Sequence, residues 1–204
     1  MVKLFKHVLI IVLVVVGCSS LVYADEKKIQ SYMKELDQLD DSQKIIMLKA
    51  YIAGQPHDLG YSMVVIAWKE SRFGKYMMNL SDGKHGSYGV YHILLDYSMV
   101  RNNVNSSWGK SRLAERLIND FDFASGEALY VLKYYRDKHN SKDVSKYYYM
   151  FTSYNGGTRA LNSSQARSYG EDSILRLAAV KRYFAKHNLV ARLEKRNLLL
   201  ASAK

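Results

Sequence analysis

Cysteine and proline are almost absent: Cys18 and Pro56 are single occurrences in 204 residues. One cysteine excludes a disulfide framework, so the fold must be held by its core. One proline, no Ser/Gly-rich tract and no block of like charge exclude an evident linker, and the length then predicts one compact domain. No internal repeat points to a solenoid. The histidines show no metal-ligand spacing, and a Cys/His set, a phosphate loop and a Ser/His/Asp arrangement are all missing. No metal and no cofactor are expected. The N-terminal apolar run from Val8 to Val16 is shorter than the about 20 residues that span a bilayer.

That run belongs to "MVKLFKHVLIIVLVVVGCSSLVYA", with a basic start, an apolar middle and a small-residue end, which predicts an export signal. Two maturation routes fit. Signal peptidase cutting after Ala24 removes residues 1–24; a lipobox in "VVGC" removes 1–17 and leaves a lipidated Cys18 for membrane attachment. The lone thiol has a purpose on the second route and none on the first. The formal charge is +11, carried by dispersed residues with no arginine-rich run. A basic exported chain meets anionic polymers or anionic lipid surfaces, while nucleic acid is not an expected partner outside the cytoplasm. A solvated charged surface explains the same composition, and nothing in the sequence sets an oligomeric state.

Apolar residues recur at three and four rather than two, which predicts an all-α chain with at most a small β excursion after Gly83. Residues 25–54 read as an N-terminal helical extension, 55–187 as the main domain and 188–204 as a basic helical tail. Ile29, Met33, Leu36 and Leu39 mark the first helical face. Asp41 or Ser42 caps a second helix that ends at Gly54, and Asp58 caps a third. Further helices are predicted from Ser111 to Asp120, Asp122 to His139, Val144 to Tyr154 and Glu171 to His187.

The third helix contains "MVVIAWKESRFG", residues 63 to 74, in which Glu70 sits near the apolar run Met63 to Trp68. At about 100° per residue Leu59, Met63, Ile66, Ala67 and Glu70 share one third of the circumference. A carboxyl desolvated there resists ionisation and acquires the pKa that a general acid needs. The bland reading is that Glu70 sits at the rim and pairs with Lys69, Arg72 or Lys75.

"ESRFG", then "GSYGVYHI" and, much later, "SYNGG" resemble, in order and character, the motifs of the soluble lytic transglycosylase family. "DFDFASGEALYVLKYY" looks like a further helix of that family, with Gly126 at its glycine. The resemblance spans about residues 55 to 157. It implies a lysozyme-like helical domain with a substrate cleft that cuts the β-1,4 bond between N-acetylmuramic acid and N-acetylglucosamine in peptidoglycan glycan strands. Glu70 would protonate the glycosidic oxygen and then take the proton from the muramoyl O6 as a 1,6-anhydro ring closes. Tyr154 would lie near Glu70, orienting that carboxyl or stabilising the developing charge. Ser71, Ser81, Gly86, Ser87, Tyr88, His92, Asn155 and Gly156 would line the saccharide subsites. His92 stands where the family has glutamine, and Tyr91 where it has methionine.

Independently of the family, Gly86 and Gly89 allow positive φ and close approach to a ligand. Tyr88 and Tyr91 could stack on sugars, although with 17 tyrosines no single one stands out. An ordinary glycosidase needs a second carboxylate. Asp82 and Asp96 are the nearest acids after Glu70; Asp82, in "SDGK", reads as a turn residue, and were it to face Glu70, a goose-type-lysozyme-like hydrolase would be the better reading. A non-catalytic wall-binding module of a secretion apparatus, or a basic peripheral membrane protein, are the rivals from other classes.

Overall fold

The computed structural model describes residues 25–139 and 145–202, with side chains described as far as Lys195. The expected export signal, Cys18 and the Val144 helix start lie outside the described residues. The chain is all-α with a small β excursion. The described residues divide into two compact units, one holding Leu39–Lys181, the other joining those up to Gln38 with those from Arg182 onward. The sequence predicts an extension over 25–54, a main domain over 55–187 and a tail over 188–204.

In the smaller unit, α1 (residues 25–37) buries Ile29, Tyr32 and Leu36, so Tyr32 takes the place expected for Met33 on the stripe. Arg182 holds both Glu26 oxygens at 2.6 and 2.8 Å, and Lys186 and His187 reach Asp37 at 3.2 and 3.3 Å. Such exposed pairs add little stability. The tail forms a helix, Leu189–Ser202.

In the larger unit, α2 (Asp41–Gly54) is capped by Asp40, not by Asp41 or Ser42. Gln43 decides this: its amide N–H donates to the Asp40 carboxylate at 2.8 Å, and its side chain accepts from the Asp40 N–H at 3.2 Å. A 3-10 turn, Gln55–His57, ends at Asp58 with φ 58°, so Asp58 closes the turn instead of capping the next helix. α3 (Gly60–Ser71) follows, buried from Ser62 through Trp68. α2 packs on α3, and Gly60 lets it do so: a Cβ there would stand 2.9 Å from the Tyr51 ring.

The β excursion is an antiparallel sheet of β1 (Met78–Asn79), β2 (Ser87–Tyr88) and β3 (Ile93–Leu94), in that order. Met78 faces Tyr88, and Tyr88 faces Ile93. Then comes α4 (Leu95–Arg101), which the sequence did not announce because it is short and lacks a side-chain cap. It is held instead by tertiary contacts: Ser98 Oγ and Arg101 Nε donate to the buried Glu127 carboxylate at 3.2 and 2.9 Å. α5 (Ser107–Asn119) starts ahead of the expected Ser111 because Ser106 caps it. α6 (Phe121–Lys138), which carries Glu127, and α7 (Lys146–Gly156) run close to expectation. α8 (Ser164–Lys186) begins at Ser164 rather than Glu171, after a 3-10 stretch from Gly157 to Asn162.

Candidate active site

Glu70 lies in the last turn of α3. The chain reverses immediately afterwards through left-handed Arg72 (φ 50°) and Phe73 (φ 56°) and then Gly74. Ser71 locks this exit. Its Oγ donates to Val90 O at 2.7 Å, lies 3.1 Å from Ala67 O and accepts from Gly74 N–H at 2.8 Å. Ser71, for which the resemblance implies a subsite position, is fully buried and spends its hydroxyl on these backbone groups. It ties the end of α3 to the β excursion.

The Glu70 side chain keeps 16% of its surface exposed, so the acid is dry and still reachable. Burial raises its pKa to about 7, and the charge of Asp82 pushes in the same direction. The hydrogen bond from Tyr169 and the charge of Lys69 pull the other way, and burial wins. Tyr169 on α8 donates its hydroxyl to Glu70 Oε1 at 2.5 Å. His92 Nδ1 stands 3.6 Å from Oε2.

None of the ion pairs offered for Glu70 by the sequence is present among the described residues. Lys69 turns to α8, with Nζ 2.5 Å from Asp172 Oδ2, which Arg176 Nε also meets at 3.0 Å. The same Nζ sits 4.1 Å from the centre of the Tyr169 ring. Arg72 and Lys75 are exposed. With Lys69 engaged by Asp172, its charge offsets the desolvation of Glu70 only in part, and the acid stays weak.

Tyr154 does not grip the carboxyl. Its buried hydroxyl donates to the Tyr91 carbonyl at 2.8 Å, steadying the backbone just ahead of His92. Burial raises its pKa well above the usual phenol value, and the Glu70 charge adds to the effect, so Tyr154 remains a neighbour of the site. The direct contact expected of Tyr154 is made by Tyr169, which sequence reasoning missed. The available signal was "SYGE": a glycine inside a helix is unfavourable unless close packing requires it. Gly170 meets that requirement, because a Cβ there would fall 2.1 Å from Thr152 Oγ1 on α7.

Asp82 is both a turn residue and a second charge at the site. Its carbonyl accepts from Gly86 N–H at 2.8 Å and its Oδ2 accepts from Ser87 Oγ at 2.7 Å. The Gly86 amide is consequently spent on the turn, and Ser87 is fully buried. The resemblance implies subsite positions for Gly86 and Ser87; the structure commits both within this turn. Asp96 is held away by His85 at 2.5 Å and by Lys84 N–H at 3.1 Å. Gly89 has φ 81°, but the close approach it permits is to the α5 backbone rather than to a ligand. Ser81 is exposed, its N–H donating to Asn79 Oδ1 at 3.1 Å; Tyr88 is half-buried, and Asn155 and Gly156 are exposed at the end of α7.

Replacing Tyr169 by Phe is expected to move the Glu70 titration upward by about one pH unit, because a hydrogen bond that favours the ionised form is lost. The alkaline limb of any Glu70-dependent activity should shift with it, and carbon-13 NMR of the glutamate carboxyl measures the shift directly.

Among the described residues no group of three or more His, Cys, Asp or Glu could hold a metal ion, and no helix is long and apolar enough to cross a membrane. Comparison with protein-family models, with curated proteins and with solved structures finds no match to this chain.

Proposed function

We propose that the protein is a lytic transglycosylase that cleaves the β-1,4 bond between N-acetylmuramic acid and N-acetylglucosamine in peptidoglycan. The observation that supports it best is one carboxyl on a rigid, buried helix, raised to about 7 and still 16% exposed. That combination suits a group that must be protonated to attack a leaving oxygen and ionised a moment later. Glu70 gives its proton to the glycosidic oxygen as the C1–O4 bond breaks and the bonding pair leaves with O4. Positive charge develops at C1, the muramoyl O6 closes on it, and the O6 proton passes to Glu70, restoring the acid. Tyr169 holds the carboxyl in place through both halves. The motif resemblance of "ESRFG", "GSYGVYHI" and "SYNGG" supports the same assignment, with Tyr88, Asn155 and Gly156 as the exposed positions from that set. The reading implies an extracytoplasmic location, in the periplasm or on the outer membrane through a lipidated Cys18.

A second reading has one specific observation in its favour. Asp82, fixed by Ser87, acts on Glu70 electrostatically, as a base activating water would in a goose-type-lysozyme-like muramidase. The sugar ends decide. Purified peptidoglycan is digested with wild type and Glu70→Gln, and the products are identified by mass. Anhydro ends from wild type alone are expected; reducing ends assign the hydrolase, and an inactive wild type removes the enzyme reading altogether.

A further inference from the structure

The two oxygens of Glu70 have different neighbours. Oε1 accepts from Tyr169 at 2.5 Å, and Oε2 lies 3.6 Å from His92 Nδ1. The other nitrogen of that ring, Nε2, is 2.8 Å from the Tyr76 carbonyl oxygen, an atom that can only accept. Nε2 therefore carries a hydrogen, and in the neutral ring Nδ1 turns a lone pair toward Oε2. His92 is held for this purpose at some expense in backbone conformation, with φ 44°, in the left-handed region that residues bearing a Cβ avoid. Tyr154, bonded to the carbonyl of Tyr91, and the Tyr76 carbonyl fix it from two sides.

We propose that His92 is a positioning residue for the transferable proton of Glu70: its neutral Nδ1 keeps that proton on Oε2, and protonation of Nδ1 switches the acid off. The proposal rests on the glycan cleavage proposed above. With Tyr169 supplying a hydrogen to Oε1, the carboxylic proton has one favourable seat, on Oε2 facing an acceptor. A separation of 3.6 Å is longer than a hydrogen bond, so the proton is directed without being tied down and stays available to the leaving oxygen. When Nδ1 gains a proton, a cation faces the carboxyl and favours its ionised form. It also opposes the positive charge that develops at the sugar. Both effects lower activity as pH falls. The other charged and titratable groups around the pair are Lys69 on α3, Asp82 in the β1–β2 turn, Tyr154 on α7 and Tyr169 on α8. An acid limb belongs to His92 only if it disappears with that side chain.

The test uses the full chain in two arms. In the first, glycan cleavage is followed from about pH 4 to about pH 9 for wild type, His92→Gln and His92→Asn. Glutamine keeps a donor for the Tyr76 carbonyl, asparagine tolerates the left-handed backbone, and thermal melts show that each variant is folded. A bell-shaped wild-type profile is expected, with the acid limb missing in both variants and the alkaline limb retained. A folded variant that keeps both limbs, or a wild type without an acid limb, overturns the proposal. The second arm needs no substrate: nitrogen-15 NMR of the His92 ring in wild type and Glu70→Gln. The hydrogen is expected on Nε2 in the neutral ring, and the Nδ1 resonance should differ between the two proteins because it faces Oε2 in wild type. A hydrogen on Nδ1, or an Nδ1 resonance that is the same in both proteins, overturns it. Should wild type cut no glycan, the functional reading fails, and this arm still judges the pairing.

Discussion

Glu70→Gln is expected to abolish glycan cleavage and, above neutral pH, to make the protein more stable, both for the same reason. Loss of the general acid should reduce the rate by about 1,000-fold or more. The amide still accepts from Tyr169, so the surroundings need not move. The stability effect follows from linkage. Burial raises the carboxyl from 4.5 in the unfolded chain to about 7 in the fold, so across that interval the native state holds a proton that the unfolded chain has released. The associated stability is fully present below pH 4.5 and is lost as pH rises through 7. Above that range the buried carboxylate costs up to about 3 kcal/mol, which a neutral glutamine avoids. Thermal melts at acid and alkaline pH measure this directly, with the variant's advantage confined to the alkaline side. Destabilisation at every pH would instead mark Glu70 as an ion-pair partner of the fold, and the acid assignment would lose its physical basis.

Gly89→Ala is expected to be the most damaging single substitution outside the site. The residue has φ 81°, and a Cβ would stand 2.1 Å from the Leu117 carbonyl oxygen and 2.9 Å from its carbon. Those atoms belong to α5, whose Leu117 side chain is fully buried, so they cannot yield as a flexible side-chain tip would. Backbone strain and overpacking add to a loss of about 3 kcal/mol or more. The Gly89 N–H also donates to Met77 O at 2.8 Å, so displacing it disturbs the excursion that carries His92 and Asp82. Urea denaturation gives the stability loss, and the pH profile of whatever protein folds should be altered as well. Gly126→Ala is the control. On α6 a Cβ at that position meets nothing within 4 Å, and alanine should stabilise the helix by about 0.5 to 1 kcal/mol. Equal tolerance of both substitutions would mean that the excursion does not pack on α5 as described.

Much of the helical plan was legible because it is written locally. Met63 to Trp68 announce a buried helix, and two of the three strands fall after Gly83 as expected, while β1 precedes it. Boundaries failed where a cap or a packing contact overrode the local pattern. Asp40 displaced Asp41 through a reciprocal bond with Gln43, and α4 exists because Glu127 receives Ser98 and Arg101 from across the unit. The site was legible in its acid and less so in its attendants. Ser71, Gly86 and Ser87 sit at motif positions, yet Ser71 and Gly86 bond backbone groups and Ser87 bonds the Asp82 carboxylate.

What the sequence alone determined is that Glu70 would ride an apolar helix and resist ionisation, because helical periodicity and desolvation both act over a few residues. Only the tertiary structure decided which groups share the carboxyl. Tyr169 is 99 residues away in the chain, and it reaches Oε1 because Gly170 lets α8 close on α7. His92 meets Oε2 because a left-handed backbone angle, held by the Tyr76 carbonyl, aims its ring there. Neither contact has a local signature, since each depends on where two distant segments come to rest against one another.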